Sequence, residues 1–168
     1  MNERWKPSVT VAAIASRRRA DGQPEYLLVE EETSTGLRLN NPAGHLDPGE
    51  SPEQAVVREA LEETARLFTP EAFVGVYLTR NDAIVGSADV TYLRLAYVGT
   101  AGEADPDRRL DHGIVGTLWM TLEELRASRE RHRSPLVLRC IEDCADGRRH
   151  PLDAITTDAS VYRPEIKT

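Results

Sequence analysis

The sequence predicts an α/β domain in which a mixed β-sheet is packed between helices, and three observations predict it. Short apolar runs recur with turn residues between them. Capped stretches carry a helical period of 3.6 residues. Strands alternate with helices along the chain instead of falling into separate blocks. At 168 residues the chain is long enough for one well-buried core and short for two. A single domain over 1–168 is expected, with a core from about 7 to 155 and a loosely determined tail over 156–168. No internal repeat, heptad pattern or low-complexity segment interrupts it.

Val9 to Ala15 reads as an apolar strand, closed by the polar turn RRRADGQPE with its Asp21-Gly22 and Pro24. The basic run Arg17, Arg18, Arg19 reads as a solvated hairpin tip in preference to a phosphate patch. Tyr26 to Val29 resumes as a second strand, followed by Glu30, Glu31 and a Thr/Ser/Gly loop. Leu37 to Asn41 then leads through Pro42-Ala43-Gly44-His45-Leu46 into the stretch around which the chain is organised. There Ser51 is a good N-cap, Pro52 suits the first helical position and Gln54 completes a capping box, so a helix starts at about Pro52.

Beyond that helix, Ala72 to Arg80 and Val90 to Val98 read as strands joined by a loop through Asn81-Asp82 and Gly86. In the second of them Val90, Tyr92, Arg94, Ala96 and Val98 share a face, opposite Thr91, Leu93, Leu95 and Tyr97. Thr100 to His112 is a charged loop, and Ile114 to Met120 is a further strand. Thr121 with Glu124 starts a short helix by another capping box. Ser134-Pro135 starts the last helix, which runs to about Ala145 and closes at Gly147, with a loosely determined run from Arg148.

Composition narrows the function classes. No apolar run is long enough to cross a membrane, and MNERWKPSVT carries charges but no apolar h-region. A cytoplasmic location without a secretory signal is expected. Cys140 and Cys144, four apart in a helical pattern, are too few for a disulfide framework or a four-ligand metal site, so buried reduced thiols are expected. A formal net charge of −7 argues against an extended nucleic-acid surface. A small phosphorylated substrate stays compatible, because a bound divalent cation reverses the local charge. The oligomeric state is not indicated.

The chemistry concentrates in GHLDPGESPEQAVVREALEETARL, from Gly44 to Leu67. On the helix that starts at Pro52, Val57, Ala60, Leu61, Thr64 and Phe68 form the face expected to pack, and Glu59, Glu62, Glu63 and Arg66 the polar face. Glu59 lies three residues before Glu62 and four before Glu63, so like charges meet across one turn. Alone, such a run reads as a solvated acidic face. It also suits a hard, oxygen-seeking cation such as Mg²⁺ or Mn²⁺, which keeps positions open for water and phosphate oxygens. Arg58 is placed to organise the cluster, reaching Glu62 one turn on and Glu50 in the preceding loop with its bidentate fork.

Gly44, Glu50, Arg58, Glu59, Glu62 and Glu63 fall in the register of the Nudix box, and the chain resembles a Nudix hydrolase. Ala60 is a small member of the apolar class, while Ala65 stands where the family has its second glycine and Arg66 where it has an apolar residue. Ala65 cannot take a positive φ as cheaply as glycine, so the helix is expected to continue towards Phe68 and stop before Pro70. The resemblance implies a Nudix α/β/α sandwich. It also implies metal held by Glu59, Glu63, Glu62 and the Gly44 carbonyl, and hydrolysis by water attack on phosphorus. Glu62, Glu59, Arg58 and Glu50 are the catalytic candidates. Glu62 is preferred to Glu59 as general base, with a loop acid as runner-up. A ligand-sensing module that has lost hydrolysis is the alternative, and the intact acidic set favours the enzyme.

WKPSVTVAAI, NNPAGHLDPGES and RSPLVLRCIEDCADGRRHPLDAI resemble the small bacterial Nudix phosphatases that act on thiamine pyrophosphate, hydroxymethylpyrimidine pyrophosphate and nucleoside di- and triphosphates. The sequence does not choose among these substrates. His45 could approach phosphate, although a packed loop histidine is the favoured reading, and His112 beside Asp111 is treated alike. Glu103, Asp105, Asp107 and Asp111 are unranked candidates for an extra acid. Trp5, Tyr77 and Tyr92 could stack on a heterocycle, with a core role favoured.

Overall fold

The structure is a computed structural model that describes residues 4–81 and 89–162. Its elements are β1 (Ser8–Arg18), β2 (Pro24–Thr33), β3 (Gly36–Asn40), β4 (Ala43–His45), α1 (Pro52–Thr64), β5 (Phe68–Asn81), β6 (Val90–Ala101), β7 (Ile114–Thr121), α2 (Leu122–Ala127) and α3 (Leu136–Ala145). Every strand read from the sequence is present; β1, β2, β5, β6 and β7 are longer than expected, and β3 keeps its length, displaced by one residue. The loop expected through Asp82 and Gly86 lies outside the described residues.

β1 serves two sets of strands. Ser8 to Ala15 runs parallel to β6, and Thr10 to Ala12 pair antiparallel with β4 on the other side. Ser16 to Arg18 then pair with Tyr26 to Pro24 of β2, which itself lies between β3 and β7. With β5 antiparallel to β6, the sheet is mixed, as expected.

Alternation along the strands sends side chains to two cores. On one face Val11, Ala13, Leu95 and Tyr97 pack with Ala55, Val56 and Ala60 of α1. On the other Ile14, Ala96, Val98 and Val74 pack with Leu125 of α2 and Val137 and Ile141 of α3. These layers form the expected sandwich. The two-face reading of β6 holds, since Ala96 and Val98 lie in one core and Leu95 and Tyr97 in the other. Cys140 and Cys144 are buried and unpaired, and burial pushes the Cys140 thiol up to about 11. Among the described residues, no helix is long and apolar enough to cross a membrane.

Three expectations need correction. α1 ends at Thr64 and does not run on towards Phe68, which opens β5. Ala65 takes the left-handed conformation at φ 54°, and its N–H reaches the Leu61 carbonyl at 3.0 Å. That conformation costs an L-residue about 1–2 kcal/mol. The neighbouring loop compensates, with the Asp105 N–H on the Ala65 carbonyl at 2.8 Å and the Gly102 N–H on the Leu67 carbonyl at 3.0 Å. The packing face of α1 is also turned. Ala55, Val56, Glu59, Ala60, Glu63 and Thr64 are buried, whereas Val57 and Leu61 are half-buried. Finally, the run from Arg148 is tied down as far as Ile155. Phe73 and His150 exchange backbone hydrogen bonds at 2.9 and 2.7 Å, and Leu152 and Ile155 pack against the α1-side core.

Candidate active site

The site begins at the α1 N-terminus. The Gln54 N–H donates to Ser51 Oγ at 3.2 Å and the Ser51 N–H to Gln54 Oε1 at 2.9 Å, fixing where the helix starts. Before it, the Asp47 N–H donates to Glu50 Oε1 at 2.9 Å, so the loop turns the Glu50 carboxylate inward. Arg58 meets that carboxylate with both edges of its fork, Nε to Oε2 at 3.0 Å and Nη2 to Oε1 at 2.7 Å. The same guanidinium donates through Nη1 to Glu59 at 2.7 Å and to Glu62 at 3.2 Å, and through Nη2 to the His45 carbonyl at 2.9 Å. It thus joins loop, β4 and helix. The Arg58 hydrogen bonds hold the Glu50 carboxyl below its usual range, and Glu50 in turn raises Arg58.

The glutamates are not equivalent. Glu59 and Glu63, expected on the polar face of the helix, are 8% and 9% exposed. Burial raises the Glu59 carboxyl, with Arg58 opposing it. Glu63 is pushed up to about 8, chiefly by burial; the Ala43 N–H at 2.8 Å opposes the shift and the charge of Glu59 adds to it. The Glu62 side chain is the open one, at 38% exposure. Gly44 is the close-approach residue, because a Cβ there would lie 2.1 Å from the Glu59 carboxyl carbon. Arg66 leaves the cluster, donating to the Gly102 carbonyl at 2.7 Å and lying over the Trp119 ring. As they stand, no three His, Cys, Asp or Glu side chains among the described residues converge as a closed ligand set.

Beside Glu63 and Gly44 opens a cavity of about 180 Å³. Its wall takes in His45, Tyr92, Thr79, Thr10, Asn40, Glu31, Arg94, Arg133 and Ser134. Of the aromatic candidates only Tyr92 reaches it. Trp5 is 69% exposed, and Tyr77 is a core residue whose hydroxyl donates to Asp143 at 2.9 Å. His45 faces the cavity with its ring 6.3 Å from that of Tyr92.

The loop acids also separate. Glu103 lies 3.9 Å from Arg66, the Asp105 N–H caps Ala65, and the Asp107 N–H turns back to Asp105. Asp111 comes against α1 through its N–H on the Glu62 carbonyl at 2.9 Å, and its charge contributes to raising Glu63. His112 is exposed, with its N–H on Asp111 Oδ1 at 2.7 Å. Sequence reasoning overlooked Thr10, Glu31, Asn40 and the buried Arg94. Arg94 carried a signal, being an arginine on the strand face shared with Ala96 and Val98.

A capped helix that buries two glutamates, forked to its entry loop by one arginine beneath a mixed sheet, defines a class. The chain matches the NUDIX domain profile over residues 6–140 and belongs to the Nudix family. Members of this family typically depend on a divalent metal. Phosphatase NudJ of Shigella boydii is 35% identical over 153 residues, covering 90% of this chain and 92% of that protein, and phosphatase NudJ of Escherichia coli matches equally. A NUDIX hydrolase from Nitrosomonas europaea superimposes with a TM-score of 0.80 at 46% identity, covering 91% of this chain and 98% of that one. The protein is a Nudix hydrolase of the phosphatase type, a pyrophosphohydrolase.

Proposed function

We propose that the protein hydrolyses a phosphoanhydride bond in a small diphosphate or triphosphate, a nucleotide or thiamine-type pyrophosphate, by water attack on phosphorus and with a divalent cation. The observation that carries this reading is the single guanidinium of Arg58 on Glu50, Glu59 and Glu62, with Glu59 packed against Gly44.

The residues fit Mg²⁺ or Mn²⁺. The donor set is all oxygen, and the buried Glu63 carboxyl, held up at about 8, is one that a neighbouring dication would return to its charged form. Glu59, Glu63, Glu62 and the Gly44 carbonyl would hold the ion. When bound, it neutralises charge on phosphate oxygens and acidifies the attacking water. The chain's own residues do the rest by positioning. Arg58 fixes the rotamers of Glu59 and Glu62 from one side, and Glu50 fixes Arg58. Glu62, the most open of the three clustered glutamates Glu59, Glu62 and Glu63, accepts the water's proton, a contribution of about 10²–10⁴-fold. Glu59 is the second choice and Asp111 the loop acid best placed to assist. Phosphoryl transfer of this kind needs no nucleophilic side chain, so no covalent phosphoenzyme forms.

Phosphate release from a panel of diphosphates and triphosphates, with and without Mg²⁺, tests the reading. In ¹⁸O-labelled water the label belongs in a product phosphate. Label found only in the organic alcohol would mean C–O cleavage and overturn it.

A further inference from the structure

The chain gathers positive charge in one stretch, against a formal net charge of −7. From Arg126 to Arg139 it carries five arginines and His132, with Glu130 the one acid among them. Two of these arginines are engaged by neighbouring carboxylates, Arg126 by Glu142 at 2.8 Å and Arg131 by Glu30 at 2.5 Å. The other three, Arg129, Arg133 and Arg139, line a groove of about 510 Å³ with His132, Leu138 and Glu142.

Both walls of the groove are fixed. Arg129–Arg131 forms a 3-10 turn closed by the His132 N–H on the Arg129 carbonyl at 3.1 Å, and the chain beyond it bridges to β3, with the Arg133 N–H on the Leu39 carbonyl at 2.8 Å. Opposite stands α3, seated in the core by Leu136, Val137 and Ile141. The charges held between these walls are not matched. Arg129 has neither a carboxylate at ion-pair distance nor a side-chain hydrogen bond among the described residues. Arg133 Nε stands 3.8 Å from Glu31 Oε2, beyond hydrogen-bond reach. Arg139 Nε lies 3.1 Å from Asp143 Oδ1, while its two Nη groups make no hydrogen bond among the described residues. Glu142, the acid on the groove wall, is the partner of Arg126. Burial holds the His132 ring below its usual range; the charge of Glu130 opposes that shift, and those of Arg129 and Arg131 add to it.

An exposed basic run is ordinarily a solvated face. Here three guanidiniums share one concavity, whose size falls within the roughly 300–1,000 Å³ of small-ligand sites, and a guanidinium fork matches the oxygens of a phosphate. We infer that this groove is a second anion site, separate from the catalytic one, which takes a small phosphate anion on Arg129, Arg133 and Arg139. Glu50, Glu59, Glu62 and Glu63 do not line it, so it stands independently of the reaction proposed above. Arg133 and Ser134 also line the cavity beside α1, which gives the two sites a common wall. An anion that draws Arg133 into the groove draws it away from Glu31.

Calorimetric titration of the metal-free protein with inorganic phosphate and with pyrophosphate tests this at roughly 0.15 M salt, where a diffuse counter-ion cloud is screened beyond about 8 Å. Binding with a Kd of roughly 1 mM or below is expected. Arg129→Gln and Arg139→Gln, both at exposed positions, should each weaken it at least about fivefold. Arg18→Gln makes the same charge change at the hairpin tip and should leave binding unaltered. Phenyl phosphate run in parallel separates two sources of the anion: tighter binding than inorganic phosphate assigns the phosphate end of an organic molecule, weaker binding the free ion, and either supports the site. Histidine ring resonances locate the anion, because His132 lines the groove and His45 the cavity, so phosphate should move the His132 signals. No binding at this salt, binding that both arginine variants leave unchanged, or a shift confined to His45 overturns the inference.

Discussion

Replacing Glu63 with glutamine should remove a pH-dependent destabilisation of the metal-free protein. Burial lifts the Glu63 carboxyl from 4.5 to about 8, so between those values the folded state holds a proton that the unfolded chain has released. Stability is fully present below pH 4.5 and declines as the pH rises through 8. The gap corresponds to on the order of 5 kcal/mol, an upper bound because the folded site can relax around the charge. Glutamine does not titrate and keeps an acceptor for the Ala43 N–H, 2.8 Å from Glu63 in the parent. Urea unfolding at about pH 5, 6.5 and 8 in the presence of a chelator isolates the effect as the difference between variant and parent. That difference should grow in favour of Glu63→Gln as the pH rises. Adding Mg²⁺ should reverse the order at pH 8, because an ion that binds only the folded parent stabilises it by mass action. Parallel stability curves in chelator across this range would refute the reasoning, and equal Mg²⁺ stabilisation of both proteins would remove Glu63 from the ligand set.

Arg58→Lys should lower kcat on the order of 10²-fold while changing KM by only a few-fold, since a lysine cannot serve Glu50, Glu59 and Glu62 together; steady-state kinetics check it, and an effect confined to KM would contradict the positioning role. Gly44→Ala should weaken Mg²⁺ binding at least about 10-fold by driving the Glu59 carboxyl from a Cβ that would sit 2.1 Å away, as read by calorimetric titration. Ala65→Gly should stabilise the fold by about 1 kcal/mol, because it relieves the positive φ at the end of α1; thermal unfolding should show a higher Tm.

The start of α1 was legible because capping is local, with Ser51, Pro52 and Gln54 within four positions of one another. Its end was not. The left-handed turn at Ala65 is held by backbone donors from Gly102 and Asp105, and a window on residues 60–70 contains neither. The buried face was misjudged for a different reason, since pattern analysis assigns charge to solvent while Glu59 and Glu63 face inward at 8% and 9% exposure. The order of the box residues survived that error, because the register of Gly44, Glu50, Arg58 and the three glutamates does not depend on which of them water reaches. The cavity had no comparable signature. Thr10, Glu31, Asn40 and Arg94 come from β1, β2, β3 and β6 and meet only through strand pairing.

That pairing also ties the two halves of the site to one register. Val11 stands opposite Gly44 and faces the α1 side, where Gly44 admits the Glu59 carboxyl. Thr10, its neighbour, stands opposite His45 and beside Arg94 and faces the cavity. Because side chains alternate with a period of two, a slip of β1 by one residue would move both sets at once, sending Thr10 towards α1 and Val11 towards the cavity. Val11, Ala13 and Ala15 in one core, against Ile14 in the other, oppose that slip by the apolar burial it would undo. Packing of β1 therefore holds the α1 side of the site, with Gly44 and Glu59, and the cavity wall, with Thr10 and Arg94, at a fixed offset.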